Sequence, residues 1–127
     1  NAIFLADEPA VIEKKVKAAK TDPQKIRKND PGHPPICPVF GYQQIFNAIE
    51  AKNIAKDCKS GRLGCVDCKH CLAEKMIAYL APLQERRRVY ASDMPKVRDI
   101  VRDGTAKARQ RARQTMEEVR EKMKIDY

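Results

Sequence analysis

At 127 residues, with 34% of them charged and a mean hydropathy of −0.63, the chain is one domain or part of one, and its core is thin. Its 26 lysines and arginines against 17 acids give a formal +9. That excess favours an anionic partner, nucleic acid before others, although it also reads as plain solubility. The longest largely apolar patch, Met76 to Leu83, falls well short of the about 18 residues a membrane span needs, which argues against a membrane role. An odd number of cysteines with C-x2-C spacing fits a reducing compartment, such as the cytoplasm, and metal ligation better than disulfides.

The chain opens at Asn1 rather than Met, which leaves room for upstream sequence. Ile3-Phe4-Leu5 reads as a short extended piece with no local partner, as if cut from a larger sheet. Asp7-Glu8-Pro9 starts a helix, with Val11, Ile12, Val16 and Ala19 on one face, and Asp22-Pro23 stops it. Gln24 to Pro38 is a basic, proline-rich connector of turns. Val39 to Ala51 has a helical period, with Tyr42, Ile45, Phe46 and Ile49 expected in the core. A short helix over Asn53 to Cys58 is expected to end near Gly61. The pattern is helical again from Val66 to about Ala91, with Leu72, Met76, Tyr79, Leu80 and Leu83 inward and Pro82 as a kink. Ser92-Asp93 caps a short helix through Arg102 that Gly104 ends. A last helix runs from Thr105 to about Lys124, with Ala108, Ala112, Met116, Val119 and Met123 inward. The expected fold class is all-α: a bundle of five or six helices with one irregular, cysteine-bearing elbow.

Four cysteines, Cys58, Cys65, Cys68 and Cys71, fall in one short stretch, and Cys37 stands upstream before Pro38. Structural zinc usually takes two C-x2–4-C knuckles, and only one such region exists here; His33 and His70 have no matching ligand. An iron–sulfur cluster accepts looser spacing, often a close group plus a remote cysteine followed by proline. Spacing alone leaves open which four of the five would bind. Cys68, near a helix start, is expected to be favoured as a thiolate. Cys71, one turn on, reads as a small buried hydrophobe. Lys59, Arg62 and Lys69 lie beside these cysteines, where they would offset cluster charge and attract phosphate.

Several strings resemble the C-terminal part of a bacterial tryptophanyl-tRNA synthetase. They are Asp7-Glu8-Pro9 through Pro23, Asp30-Pro31-Gly32-His33-Pro34, Gly64-Cys65-Val66-Asp67-Cys68-Lys69, Tyr79 to Arg87 and Gly104 to Arg120. The resemblance covers essentially the whole chain in order. It implies a class I synthetase whose C-terminal helical domain binds the tRNA anticodon. Residues 1–6 would then end the catalytic domain, and residues 7–127 would form the anticodon-binding domain with an elbow over 37–71. A subset of that family carries a [4Fe-4S] cluster on C-x22-C-x6-C-x2-C. Carried over, the ligands are Cys37, Cys58, Cys65 and Cys68; the first gap is x20 here, two residues shorter.

The family's H-x-G-H-type and K-M-S-K-S motifs are missing. The chain therefore resembles the piece that follows the catalytic lysine loop and should not activate tryptophan alone. The resemblance further implies tRNA for tryptophan as partner and, in the full-length enzyme, a homodimer and ATP with Mg, with no membrane or DNA involved. Arg86 and Arg87, in a basic triplet with Arg88, join Lys59, Arg62 and Lys69 as candidate phosphate contacts. Arg109, Arg111 and Arg113 fan over more than one helix face and read as solvated. Tyr42 and Phe46 read as core, which leaves Tyr90 and Tyr127 as loose candidates for base stacking. The rival readings are a ferredoxin-like electron carrier and a zinc-stapled helical nucleic-acid-binding module.

Overall fold

The computed structural model describes residues 2–125, and Tyr127 lies outside them. Its elements are α1 (Pro9–Ala18), a single 3-10 turn (Pro34–Ile36), α2 (Pro38–Phe46), α3 (Ala51–Lys59), α4 (Cys65–Ala91) and α5 (Met94–Met123). The fold is all-α, with no strand among the described residues. The chain divides into two compact units, Asn1–Glu85 and Arg86–Tyr127.

The first unit holds the core. Ile12 and Val16 of α1, Val39 of α2, and Leu72, Ala73, Met76 and Leu80 of α4 are buried together. Cys37 and Cys68 pack against the edge of this cluster, so the cysteine elbow sits on the core rather than apart from it. Pro9 opens α1 where its missing N–H leaves no bond unmade. α1 stops at Ala18 instead of reaching Pro23, because Asp22 is used otherwise. Its carboxylate accepts from the amides of Gln24 (2.8 Å) and His33 (2.7 Å) and turns the chain into the connector. Ile3-Phe4-Leu5 is no strand. Phe4 donates its amide to Asp7 Oδ2 (2.8 Å) and accepts from the Asp7 amide (3.1 Å), which makes a tight turn.

α2 presents a different face to the core from the one its apolar residues suggest. Val39, Gln43 and the C-cap Asn47 are buried, whereas Tyr42 and Ile45 are exposed; the helix expected over Val39 to Ala51 breaks after Phe46, and Ile49, 96% exposed, falls in the turn before α3. Gln43 and Asn47 sit one and two turns after Val39, so three positions four apart form the inner stripe. Two of them are amides with partners inside. Tyr42 stacks on Phe46 (6.5 Å) and Phe46 meets the Tyr79 edge (5.3 Å); of this aromatic row Phe46 is partly buried against the core, as expected, while Tyr42 and Tyr79 are exposed. On α4, Tyr79 and Leu83 are likewise exposed, because the stripe runs through Leu72, Ala73, Met76 and Leu80.

The second unit carries α5, one helix of 30 residues where two were expected. Asp93 caps its start by accepting from the Lys96 amide (3.0 Å). Gly104 does not end it: a mid-helix glycine costs about 1 kcal/mol against alanine, too little to break a long helix of good formers. The end comes at Lys124, left-handed at φ 53, whose amide bonds back to Arg120 and Glu121. No residue of α5 is buried, so the inward positions expected at Ala108, Ala112, Met116, Val119 and Met123 are exposed.

Candidate functional site

Cys37, Cys58, Cys65 and Cys68 line one small cavity in the first unit. They arrive from three places: the residue before α2, the end of α3 and the first turn of α4. Cys37 is the residue before α2, its carbonyl accepting from the Phe40 and Gly41 amides. Cys58 lies in the last turn of α3, Cys65 opens α4, and Cys68 is the first residue of α4 whose amide closes a helical bond, to Gly64 (3.0 Å). The rest of the wall is mainly Val39, Phe40, Ile54 and Leu63, with Asp22 and Lys25. Among the described residues, no three His, Cys, Asp or Glu side chains converge closely enough to hold a single metal ion.

Two glycines let the connector close over this cavity. The Gly32 amide donates to the Cys58 carbonyl (2.9 Å). A Cβ on Gly32 would stand 2.5 Å from Cys58 Sγ, so no larger residue fits without moving that sulfur. Gly61 has φ +74, and a Cβ there would run into the Asn29 carbonyl. These contacts bring the proline-rich segment back beside α3.

Burial pushes the Cys58 thiol up; the Lys25 ammonium pulls it down, and Cys37, Cys65 and Asp22 push it up further. Cys68 is pushed up to about 11 by burial, against a hydrogen bond from Gln43 and with the other three thiols adding to the rise. This rise, with burial as its largest cause, runs against the thiolate preference expected of Cys68 near a helix start. Gln43, wholly buried, donates to the Cys68 carbonyl (2.8 Å) and to its Sγ (3.5 Å), and its oxygen accepts from Asn47 (3.2 Å). Cys71 does not line the cavity; Asn47 donates to its sulfur (3.5 Å), and burial, then Glu50, raises its pKa.

Lys25 was not anticipated as a charge partner, nor Gln43 as a support. Lys25 is buried and donates to the Asp30 carbonyl (2.6 Å). Burial pushes the Asp22 carboxyl up, but the Gln24 and His33 amides and the His33 ring outweigh it and hold the pKa low. The candidate phosphate contacts are scattered. Lys59 lines a groove with Gly32, His33 and Pro34. Arg62 pairs with Asp57 (2.7 Å). Lys69 donates to the Lys17 carbonyl (2.9 Å) and lines a second groove with Glu13, Lys17 and His70. Arg86 and Arg87 are exposed and belong to the second unit, as does the half-exposed Tyr90.

No helix among the described residues is long and apolar enough to cross a membrane. Residues 1–81 match the family model "tRNA synthetases class I (W and Y)". The chain is 46% identical over 127 residues to the tryptophan–tRNA ligase of Aquifex aeolicus, covering 98% of this chain and 32% of that protein. It is 39% identical over 129 residues to the Thermotoga maritima ligase (100% and 39%) and 34% identical over 128 residues to the Ralstonia nicotianae ligase (100% and 32%). The chain thus spans about a third of the length of these relatives, which run on through both units of the fold. The family match covers well over half of the chain, and the chain belongs to the class I tRNA synthetases of the tryptophan and tyrosine type.

Proposed function

We propose that this chain is the tRNA-recognition part of a tryptophan–tRNA ligase, and that Cys37, Cys58, Cys65 and Cys68 hold a [4Fe-4S] cluster. On this reading residues 1–6 end the catalytic domain, and residues 7–127 are the anticodon-binding domain with its elbow over 37–71. The complete enzyme, a cytoplasmic homodimer, uses ATP and Mg to attach tryptophan to its tRNA. This part carries no activation motif and contributes RNA binding. Lys59, Arg62, Lys69, Arg86 and Arg87 are its proposed phosphate contacts. The names of the relatives, matched over nearly the whole chain, support the ligase assignment.

The observation that supports the cluster is that four thiols line one small, largely apolar cavity. One zinc ion needs its sulfurs about 2.3 Å from a common centre, whereas a cluster spreads its ligands around a larger object. The donor set fits: four sulfurs, one before α2, one from α3 and two from the first turn of α4, with Gly32 leaving room at Cys58. When bound, the cluster supplies a rigid link between the connector, α3 and α4, and its binding energy is folding energy. The chain's own residues prepare the site. Gln43 orients Cys68, Lys25 lowers the cost of negative charge at Cys58, and Val39, Ile54 and Leu63 keep water out.

Metal analysis of protein purified without oxygen tests this reading, with iron and matching acid-labile sulfide as the expected result. Zinc in their place would discard the cluster and favour a zinc-stapled module. In the complete enzyme, Cys65→Ser is expected to lose iron and weaken tRNA binding together. Full tRNA affinity in an iron-free protein would remove the structural role. Reversible one-electron reduction without any tRNA binding would favour an electron carrier.

A further inference from the structure

α5 has an unequal distribution of charge around its axis. At 3.6 residues per turn, Arg98, Arg102, Arg109, Arg113 and Arg120 fall within about 60° of arc. Their spacing alternates four and seven residues, so they climb one flank over about 33 Å. No acid lies inside this arc; Asp99 and Glu117 stand about 40° beyond one edge, and Glu117 lines a shallow groove with Arg109 and Arg113. Arg102 reaches Asp99 only at 3.8 Å, and the other four form no ion pair among the described residues. All five are exposed. The opposite flank differs. There Lys107, Arg111 and Lys122 are interleaved with Asp103, Glu118 and Glu121.

We infer that the five-arginine flank of α5 is an RNA-binding strip that takes the phosphate backbone of a tRNA without reading its sequence. The inference rests on the reading of the chain as a tRNA-binding fragment and extends it to residues outside the cysteine elbow. The guanidinium fork matches phosphate oxygens in pairs and keeps its charge at every relevant pH. A row of such forks, free of acids, follows a repeating anionic chain. Both edge acids lie to one side, where they discourage an anion from sliding off the row. A lipid surface is a poorer match. A helix that lies in a membrane interface anchors itself with Trp, Phe or Leu, and α5 contains none of these; its apolar positions are Ala, Val, Ile and Met.

The test compares two charge-matched variants of this chain. One is R109Q/R113Q/R120Q on the proposed strip; the other is K107Q/R111Q/K122Q on the mixed flank. Glutamine keeps a comparable helix propensity, and circular dichroism verifies that both remain helical. The probe is unfractionated tRNA, titrated at several salt concentrations, with phosphatidylserine vesicles as a second arm. The strip variant is expected to lower the slope of log K against log salt by about 2–3 units. The mixed-flank variant is expected to change it by less than about one unit. Equal losses in the two variants would show a response to net charge alone and overturn the strip. So would binding to vesicles that depends on the strip while tRNA binding does not. If the unaltered chain binds no tRNA, the tRNA-binding reading itself fails; if it binds and the variants do not differ, only the strip fails.

Discussion

The two units hold their helices by different means. In the first, seven side chains from α1, α2 and α4 are buried against one another, and buried amides and an aspartate link the connector to the helices. In the second, no described residue is buried. α5 stands on local terms: an aspartate cap, a proline in its first turn, a left-handed last residue and a length well beyond the about 12–15 residues at which isolated helices are marginal. A site that needs ligands from distant points of the chain can exist only where such convergence is already enforced, and the four thiols lie in the unit with the core. A surface that needs only a row of like charges at a fixed rise requires one stiff helix, and α5 supplies it. The thin core expected from composition is thin because it is confined to one unit.

The strongest way to break this contrast is to remove apolar volume from each unit. Leu72 is 1% exposed, and Leu72→Ala is expected to destabilise the chain by about 2–5 kcal/mol in chemical denaturation. Met116 is 49% exposed, and Met116→Ala is expected to stay within about 0.5 kcal/mol. Similar losses at both positions would mean that α5 has a buried face. A smaller effect sharpens the comparison by sign. Gly61→Ala forces a left-handed position and meets the Asn29 carbonyl, which is expected to cost about 1–3 kcal/mol. Gly104→Ala fills open space in mid-helix and is expected to stabilise by up to about 1 kcal/mol. Far-ultraviolet circular dichroism melts read both, and a destabilised Gly104→Ala would show that α5 needs a break there.

How much of this was legible in the sequence follows from the same division. The density of cysteines was plain, as was the connector made of turns. A remote cysteine before proline fits an iron–sulfur outline, but which four cysteines gather is carried only by resemblance, because it depends on contacts such as Gly32 bonding to Cys58, which no periodicity encodes. Lys25 was hidden for a similar reason: a lysine in a basic connector looks solvated until the chain folds it over the thiols. The α2 face was misread because counting apolar residues favours Tyr42, Ile45 and Ile49, while the actual inner stripe contains Gln43 and Asn47. A buried amide with partners is stable, and without knowledge of those partners it resembles a surface residue. Gly104 was misread in the opposite way. A local breaker was given more weight than thirty residues of propensity and two caps can bear.

The smallest contrast concerns charge at the start of the first unit. Asp7 accepts from Lys15 at 2.6 Å and from the Phe4 amide, while the Lys15 ammonium also stands 4.7 Å from the Phe4 ring centre. The Lys15 hydrogen bond, then the Phe4 amide, hold the Asp7 carboxyl below its ordinary value, against a rise from burial. The ionised form is thus favoured in the folded chain. Its contribution is present above the unfolded aspartate pKa of about 3.9 and is lost as pH falls through the lower folded value. Asp7→Asn removes that titration and is expected to lower the melting temperature at neutral pH. The gap between the variant and the unaltered chain should then narrow as pH drops below about 4. Added salt should narrow it at neutral pH too, since the pair lies near solvent. A gap that is constant from neutral to strongly acid pH would show that Asp7 acts through the shape of the Phe4 turn, with its charge contributing nothing.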